Sequence, residues 1–248
     1  MPPLDIGPAP ELWLPPRPAI IRPAAELWKP PAGVELASFL PGTFPAGLLA
    51  AAGGIELAFR DSATSTGATI VVPNTVQAGD LAFLTAYSNG SNPAQFSNSG
   101  WSTLDYSSYF NDRSQIDYRI LTGSEAGQTI NVFGGFSTRS AVMLVFSGGI
   151  SAINLSTRDE YYSNGNPPSQ AVAASGGALP LIVLAVLSGT STANFSTESP
   201  AFDGSVITSN SRTRFGYSIY NTSPQNHTID ANDLGNATYL SSWWVECS

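Results

Sequence analysis

Hydrophobic and polar positions change character along the chain in a way that divides it into three zones. Beyond residue 66, short runs rich in β-branched and aromatic residues alternate with Gly, Asn, Ser and Pro clusters. The runs are ATIVVP (68–73), DLAFLTAYS (80–88), IDYRIL (116–121), TINVFGG (129–135) and SAVMLVFSG (140–148). The second half adds LPLIVLAVL (179–187), RFGYSIYN (214–221), HTIDA (227–231) and YLSSWWVE (239–246). Apolar runs of this length bounded by turn residues predict strands, and no long helical periodicity accompanies them. Residues 67–248 therefore read as an all-β body. Residues 47–66 form a transition in which a short helix or a first strand would fit.

The first 46 residues differ. Twelve of the chain's 19 prolines fall in the first 45 residues, so this arm can be neither helix nor central strand. Its PPRP and KPP stretches favour extended, polyproline-like backbone without internal hydrogen bonds. It nevertheless carries large apolar side chains: Leu12, Trp13, Leu14, Ile20, Ile21, Leu27, Trp28, Phe39 and Phe44. The tripeptide Glu-Leu-Trp occurs twice, at 11–13 and 26–28. Burying side chains of this size yields roughly 1.5–3 kcal/mol each, and proline lowers the entropy lost on docking. The arm is expected to act as a docking strap, with those nine residues as anchors on a partner or sister subunit.

The body shows a weak internal repeat. Leu81 and Leu181 open apolar strands 100 residues apart, and Tyr118 and Tyr217 each stand eleven residues before a Thr-Ile pair, at 129–130 and 228–229. Two halves of about 90 residues, each too small to close a core comfortably, would face each other as a jelly-roll-like antiparallel β-sandwich. Two separate small sandwiches are the alternative.

Charge narrows the function. The net charge is −8 and the chain has a single lysine, Lys29, so a nucleic-acid partner is not expected. Only 11% of residues are charged, well below the roughly 25% of ordinary domains, leaving Ser, Thr, Asn and Gly to carry surface polarity. No apolar run reaches the roughly 20 residues of a membrane helix. No signal peptide is legible, so synthesis in the cytoplasm is expected. One cysteine, Cys247, leaves no intrachain disulfide; it is either a free thiol near a frayed end or half of an interchain bridge.

Candidate chemistry is sparse. The single histidine, His227, sits in SPQNHTID, where an exposed turn residue is the ordinary reading and a Ser-His-Asp arrangement the sharper one. Asp105, Asp112 and Asp117, with Asp159 and Glu160, are the carboxylates a polysaccharide depolymerase would need in pairs. DANDLGN (230–236) partly echoes a calcium loop without its distal Glu, so no metal or cofactor is assigned. The stretches 101–115 and 160–170 combine aromatic and amide residues in predicted loops. Trp101, Tyr106, Tyr109, Tyr161 and Tyr162 are their candidate glycan-stacking residues. Trp243 and Trp244, consecutive in a strand, must face opposite sides. One is core and the other meets a second layer, solvent or a partner chain, so Trp243, Trp244 and Cys247 are the candidate interchain contacts.

The order VPNTVQAGDLAFLTAYS, GWSTL, DYRILTGSEAGQTINV and AVMLVFSGG resembles a β-sandwich domain recurrent in tailed-phage structural proteins. The opening, with ELWLPPRPAIIRP and ASFLPGTFPAG, resembles N-termini of virion proteins from phages of Alphaproteobacteria. The resemblance implies a non-enzymatic virion component located on the particle, as a capsid decoration or head fibre. Its arm would bind other virion proteins of the capsid, neck or tail, and it would form a homo-oligomer, a trimer being favoured. The second reading is a tail-fibre or receptor-binding module for host surface glycans.

Overall fold

The computed structural model describes residues 55–89, 100–109, 112–132, 138–155, 159–163, 169–189, 192–231 and 238–248. The nine arm anchors, Leu12 to Phe44, lie outside the described residues. The first half of the body comprises β1 (Ala58–Ser65), β2 (Thr69–Val71), β3 (Ala78–Asn89), β4 (Ser102–Tyr109), β5 (Asp112–Thr122), β6 (Thr129–Asn131) and β7 (Thr138–Ser147). The second half comprises β8 (Ile153–Leu155), β9 (Asp159–Ser163), β10 (Gln170–Val172), β11 (Leu181–Gly189), β12 (Phe195–Ser199), β13 (Gly204–Ile207), β14 (Thr213–Tyr220), β15 (His227–Ala231) and β16 (Thr238–Cys247). Of the two options for the transition segment, the strand is realised: β1 begins at Ala58 and pairs with β7.

Two large antiparallel sheets run in the orders β1-β7-β3-β5-β4 and β13-β14-β11-β16-β8, with β9 also on β16. Two smaller sheets, β2-β6 and β10-β15-β12, complete the set. The period-2 alternation of each central strand explains how these layers stack. On β3, Leu81 and Phe83 enter a cluster with Ile182, Leu184 and Val186 of β11, whereas Ala82, Leu84 and Ala86 pack on Ile70 and Ile130 of the β2-β6 layer. On β11 the opposite faces divide likewise, Leu181, Val183 and Ala185 packing with Val172, Phe195 and Ile229 of the β10-β15-β12 layer. The body is thus four β-layers deep, with the two large sheets in the middle.

This arrangement corrects one expectation and explains another. Each half does carry a second layer and a buried cluster of its own, so the halves are more than two faces of one sandwich. Strands buried on both sides need apolar residues at every position, which is why LPLIVLAVL reads as an unbroken run. β3, β4 and β5 lie together in one sheet, β4 and β5 as a hairpin, which departs from the jelly-roll expectation.

The two large sheets share one plan of connection. β7 pairs β3, β3 pairs β5 and β5 pairs β4; in parallel, β16 pairs β11, β11 pairs β14 and β14 pairs β13. Residues 99 apart occupy equivalent faces: Phe83 and Ile182, Leu144 and Trp243, Phe146 and Val245 all belong to the central cluster. The Leu81–Leu181 match, at 100, fails because Leu81 faces the central cluster and Leu181 an outer one. A slip of one residue reverses the face.

Backbone geometry fixes the entry and exit of the central strands. Gly79 has φ of +82°, and a Cβ there would lie 3.0 Å from the Gly149 Cα. Beside it the buried Asp80 accepts the Gln77 N–H at 2.7 Å and pairs with Arg60 Nε at 2.6 Å. The ion pair ties the start of β3 to β1, and Ile150 N–H, donating to the Gly79 carbonyl at 2.8 Å, ties it to the residues that follow β7.

Candidate functional site

The aromatic segments expected in loops are largely strand. Residues 102–109 and 112–122 form the β4–β5 hairpin, and 159–163 form β9, paired along β16. Tyr106 and Tyr109 fall in β4 and Tyr161 and Tyr162 in β9, and their side chains lie outside the described part of the structure. Trp101 is half-buried and packs against the β2-β6 cluster. Ser, Asn and Tyr mimic loop composition here, but pairing with an apolar neighbour strand draws them into the sheets.

The C-terminal residues are claimed by the chain's own layers. Trp243 is 2% exposed in the central cluster, and Trp244 packs on the opposite face against the β10-β15-β12 layer. Of the three options for the second tryptophan, the second layer is the one realised. Cys247, 4% exposed, also joins the central cluster, and burial pushes its thiol up to about 12. A thiol so placed is held inside the folded strand rather than at a frayed end.

His227 corrects the exposed-turn expectation. It opens β15, is 1% exposed, and shares a 2.7 Å hydrogen bond between Nε2 and the Tyr220 hydroxyl. Phe202 stacks on its ring at 5.5 Å. Desolvation holds its pKa below the usual histidine value, against the opposing pull of Asp203 and the Pro200 carbonyl. Its hydroxyl partner is a tyrosine rather than the serine of a triad.

Asp105 and Asp117 of the first hairpin do not form a pair. A register shift between Thr103 and Asp105 turns Asp105 toward the second large sheet, where it accepts hydrogen bonds from the Tyr239 hydroxyl and, at 3.1 Å, from Ser241. Asp117 lies opposite Thr103, and Asp105 opposite Ile116, the residue before it; Asp117 therefore occupies the other face. The side chains of Asp112, Asp159 and Glu160 lie outside the described part of the structure, as does most of the 230–236 segment. Among the described residues no group of three His, Cys, Asp or Glu is placed to hold a metal ion.

What sequence reasoning missed is the cluster around Asp117. Gln115, two residues earlier on the same face, donates from Nε2 to Asp117 Oδ1 at 2.8 Å, and the same nitrogen lies 3.4 Å from Thr103 Oγ1. Thr103 also hydrogen-bonds Asp117. Desolvation raises the Asp117 pKa, the two hydrogen bonds pulling the other way. A hydroxyl, a carboxamide and a carboxyl group thus meet at the sheet's outer face. The Gln-Ile-Asp spacing was the only sequence signal, and it becomes informative once β4 is known to lie alongside. Nearby, Glu125 behaves oppositely. Desolvation pushes it up, but hydrogen bonds from its own backbone and from Thr122, with Arg119 at 2.6 Å, bring it below the usual carboxylate range.

No protein-family model, no curated protein and no solved structure matches this chain.

Proposed function

We propose that this protein is a non-enzymatic structural component of a tailed-phage virion. In this reading residues 1–46 anchor it to the capsid or neck, and the β body is displayed on the particle as a decoration or head-fibre domain. The observation that carries the reading is the contrast between the two parts of the chain. Some of the body's buried polar groups tie its own layers together, as in Ser140–Thr213 at 2.5 Å and Ser242–Gln170 at 2.7 Å. The arm holds nine large apolar residues in a sequence that cannot bury them by itself. Binding only to the assembled particle would stabilise that state by mass action.

We also read the two halves as pseudo-repeats of one β unit. The shared connection plan and the common faces at an offset of 99 residues support this. The glycan-binding reading draws no support from the β4 and β9 aromatics as loop residues, because those stretches are paired strands.

The test is deletion of residues 1–46. The truncated protein is expected to fold and to be absent from purified particles, whereas the full chain is recovered with them in high copy. Recovery of the truncated form on particles at the full chain's copy number would sink the anchoring reading.

A further inference from the structure

We propose that Thr103 and Gln115 become joined by an ester cross-link, formed by the folded chain itself with Asp117 as the proton carrier. This inference stands on the β4–β5 hairpin and is independent of the virion reading.

The three groups have the relation that an acyl transfer requires. Thr103 supplies a hydroxyl nucleophile, Gln115 an acyl carbon and Asp117 a base that touches both partners. Asp117 accepts from the Gln115 Nε2, the nitrogen that would leave, at 2.8 Å, and is hydrogen-bonded to the Thr103 hydroxyl that would attack. Thr103 Oγ1 is 3.4 Å from Nε2, which is bonded to the reacting Cδ, so a side-chain rotation brings oxygen to carbon. The pairing of Thr103 with Asp117 across the hairpin holds all three in place, the situation in which an intramolecular reaction gains a high effective concentration.

The step balances without a co-reactant. Asp117 takes the Thr103 hydroxyl proton as Oγ1 adds to Cδ, giving a tetrahedral carbon. Asp117 then returns that proton to Nε2, the Cδ–N bond breaks, and one ammonia departs. The product is an Oγ1–Cδ ester, with no oxidation or reduction. Gln115 is 6% and Asp117 3% exposed, so the acyl carbon is shielded from hydrolysis, while Thr103 stands at the exposed rim, where ammonia leaves to bulk water and is protonated. Desolvation that raises the Asp117 carboxyl suits a group that must hold and then release a proton.

The bond would serve a physical need. Among the described residues β4 is an edge strand, paired with β5 alone, and an edge is where a sheet frays or pairs wrongly. With one cysteine in the chain, a disulfide cannot staple it.

Intact-mass measurement on the full chain tests the proposal. The expected mass is lower than that of the sequence by one ammonia. Trypsin, cutting after Arg113 and Arg119, should give the peptide 114–119 joined to the peptide that carries Thr103, and hydroxylamine should separate the two. Thr103→Val, at an exposed strand position that tolerates it, should restore the full mass and the free peptide; Asp117→Asn should do the same. A wild-type chain of full mass with free peptide 114–119 would overturn the proposal. So would an ammonia loss that persists in Thr103→Val, since it would then arise elsewhere.

Discussion

Leu57 and Asn221 exchange two hydrogen bonds across the body. The Leu57 N–H donates to Asn221 Oδ1 at 2.8 Å, and Asn221 Nδ2 donates to the Leu57 carbonyl at 2.9 Å. One carboxamide thereby satisfies both backbone groups of the residue that leads into β1, and it does so from the turn after β14. Asn221→Ala should leave both groups unpaired in a partly buried place, at a cost of about 1–3 kcal/mol. Urea denaturation reads this directly, and a change of only a few tenths would show that water replaces the asparagine.

His227 makes stability fall on mild acidification. Its folded pKa lies below the ordinary 6.5, so its contribution is complete above that value and is lost as pH falls through it toward the folded value. Urea midpoints between about pH 5 and 8 should decline toward the acid end. His227→Gln, which retains an amide for Tyr220, should flatten that slope. Glu125, lowered, and Asp117, raised, act in the carboxylate range beneath this window and in opposite directions. An unchanged slope in His227→Gln would assign the acid sensitivity to other groups.

Cys247 should resist thiol reagents while the protein is folded. Burial in the central cluster both hides the sulfur and pushes its pKa to about 12, so little thiolate exists at mildly alkaline pH. Labelling by iodoacetamide should be slow in the native protein and rapid in denaturant. Fast native labelling would place the thiol outside the core.

Gly79→Ala tests the junction of β3 and β7. At φ of +82° an L side chain is strained, and the added Cβ meets Gly149 backbone rather than a movable side-chain tip. The expected loss exceeds about 1 kcal/mol. Gly176→Ala, where nothing lies within 4 Å of the added atom, is the matched control and should change stability little.

How much of this was legible in the sequence depended on how each strand is buried. β3, β7, β11 and β16 were readable because two buried faces demand apolar residues at nearly every position. β1, β4, β8, β9 and β13 are edge strands of the large sheets, polar on at least one side, and their AFRDSATS and STLDYSSY sequences pass for turns. The number of layers was hidden for the reason that revealed the central strands: an unbroken apolar run does not say which residue faces which neighbour. The 99-residue offset between the two large sheets was audible in the Tyr-to-Thr spacing, whereas Leu81 and Leu181 stand 100 apart. His227 gave no sign of burial, because its neighbours Asn226 and Thr228 point elsewhere in the β10–β15 pairing and carry the polarity.

Asp105 offers the most direct measure of how the two large sheets are joined. It reaches from β4, in the first large sheet, to the Tyr239 and Ser241 hydroxyls of β16, in the second. A carboxylate only 2% exposed draws its stabilisation from such donors. Asp105→Ala should cost about 1–3 kcal/mol, since it strands hydroxyls that were paired. Ser241→Ala should cost less, because Tyr239 continues to donate. If the contact carries energy, the double variant will be less destabilised than the sum of the two single changes, by about 0.5 kcal/mol or more. Simple additivity in the denaturation midpoints would mean that Asp105 and Ser241 do not couple across the sheets, with Asp105 serving only its own strand.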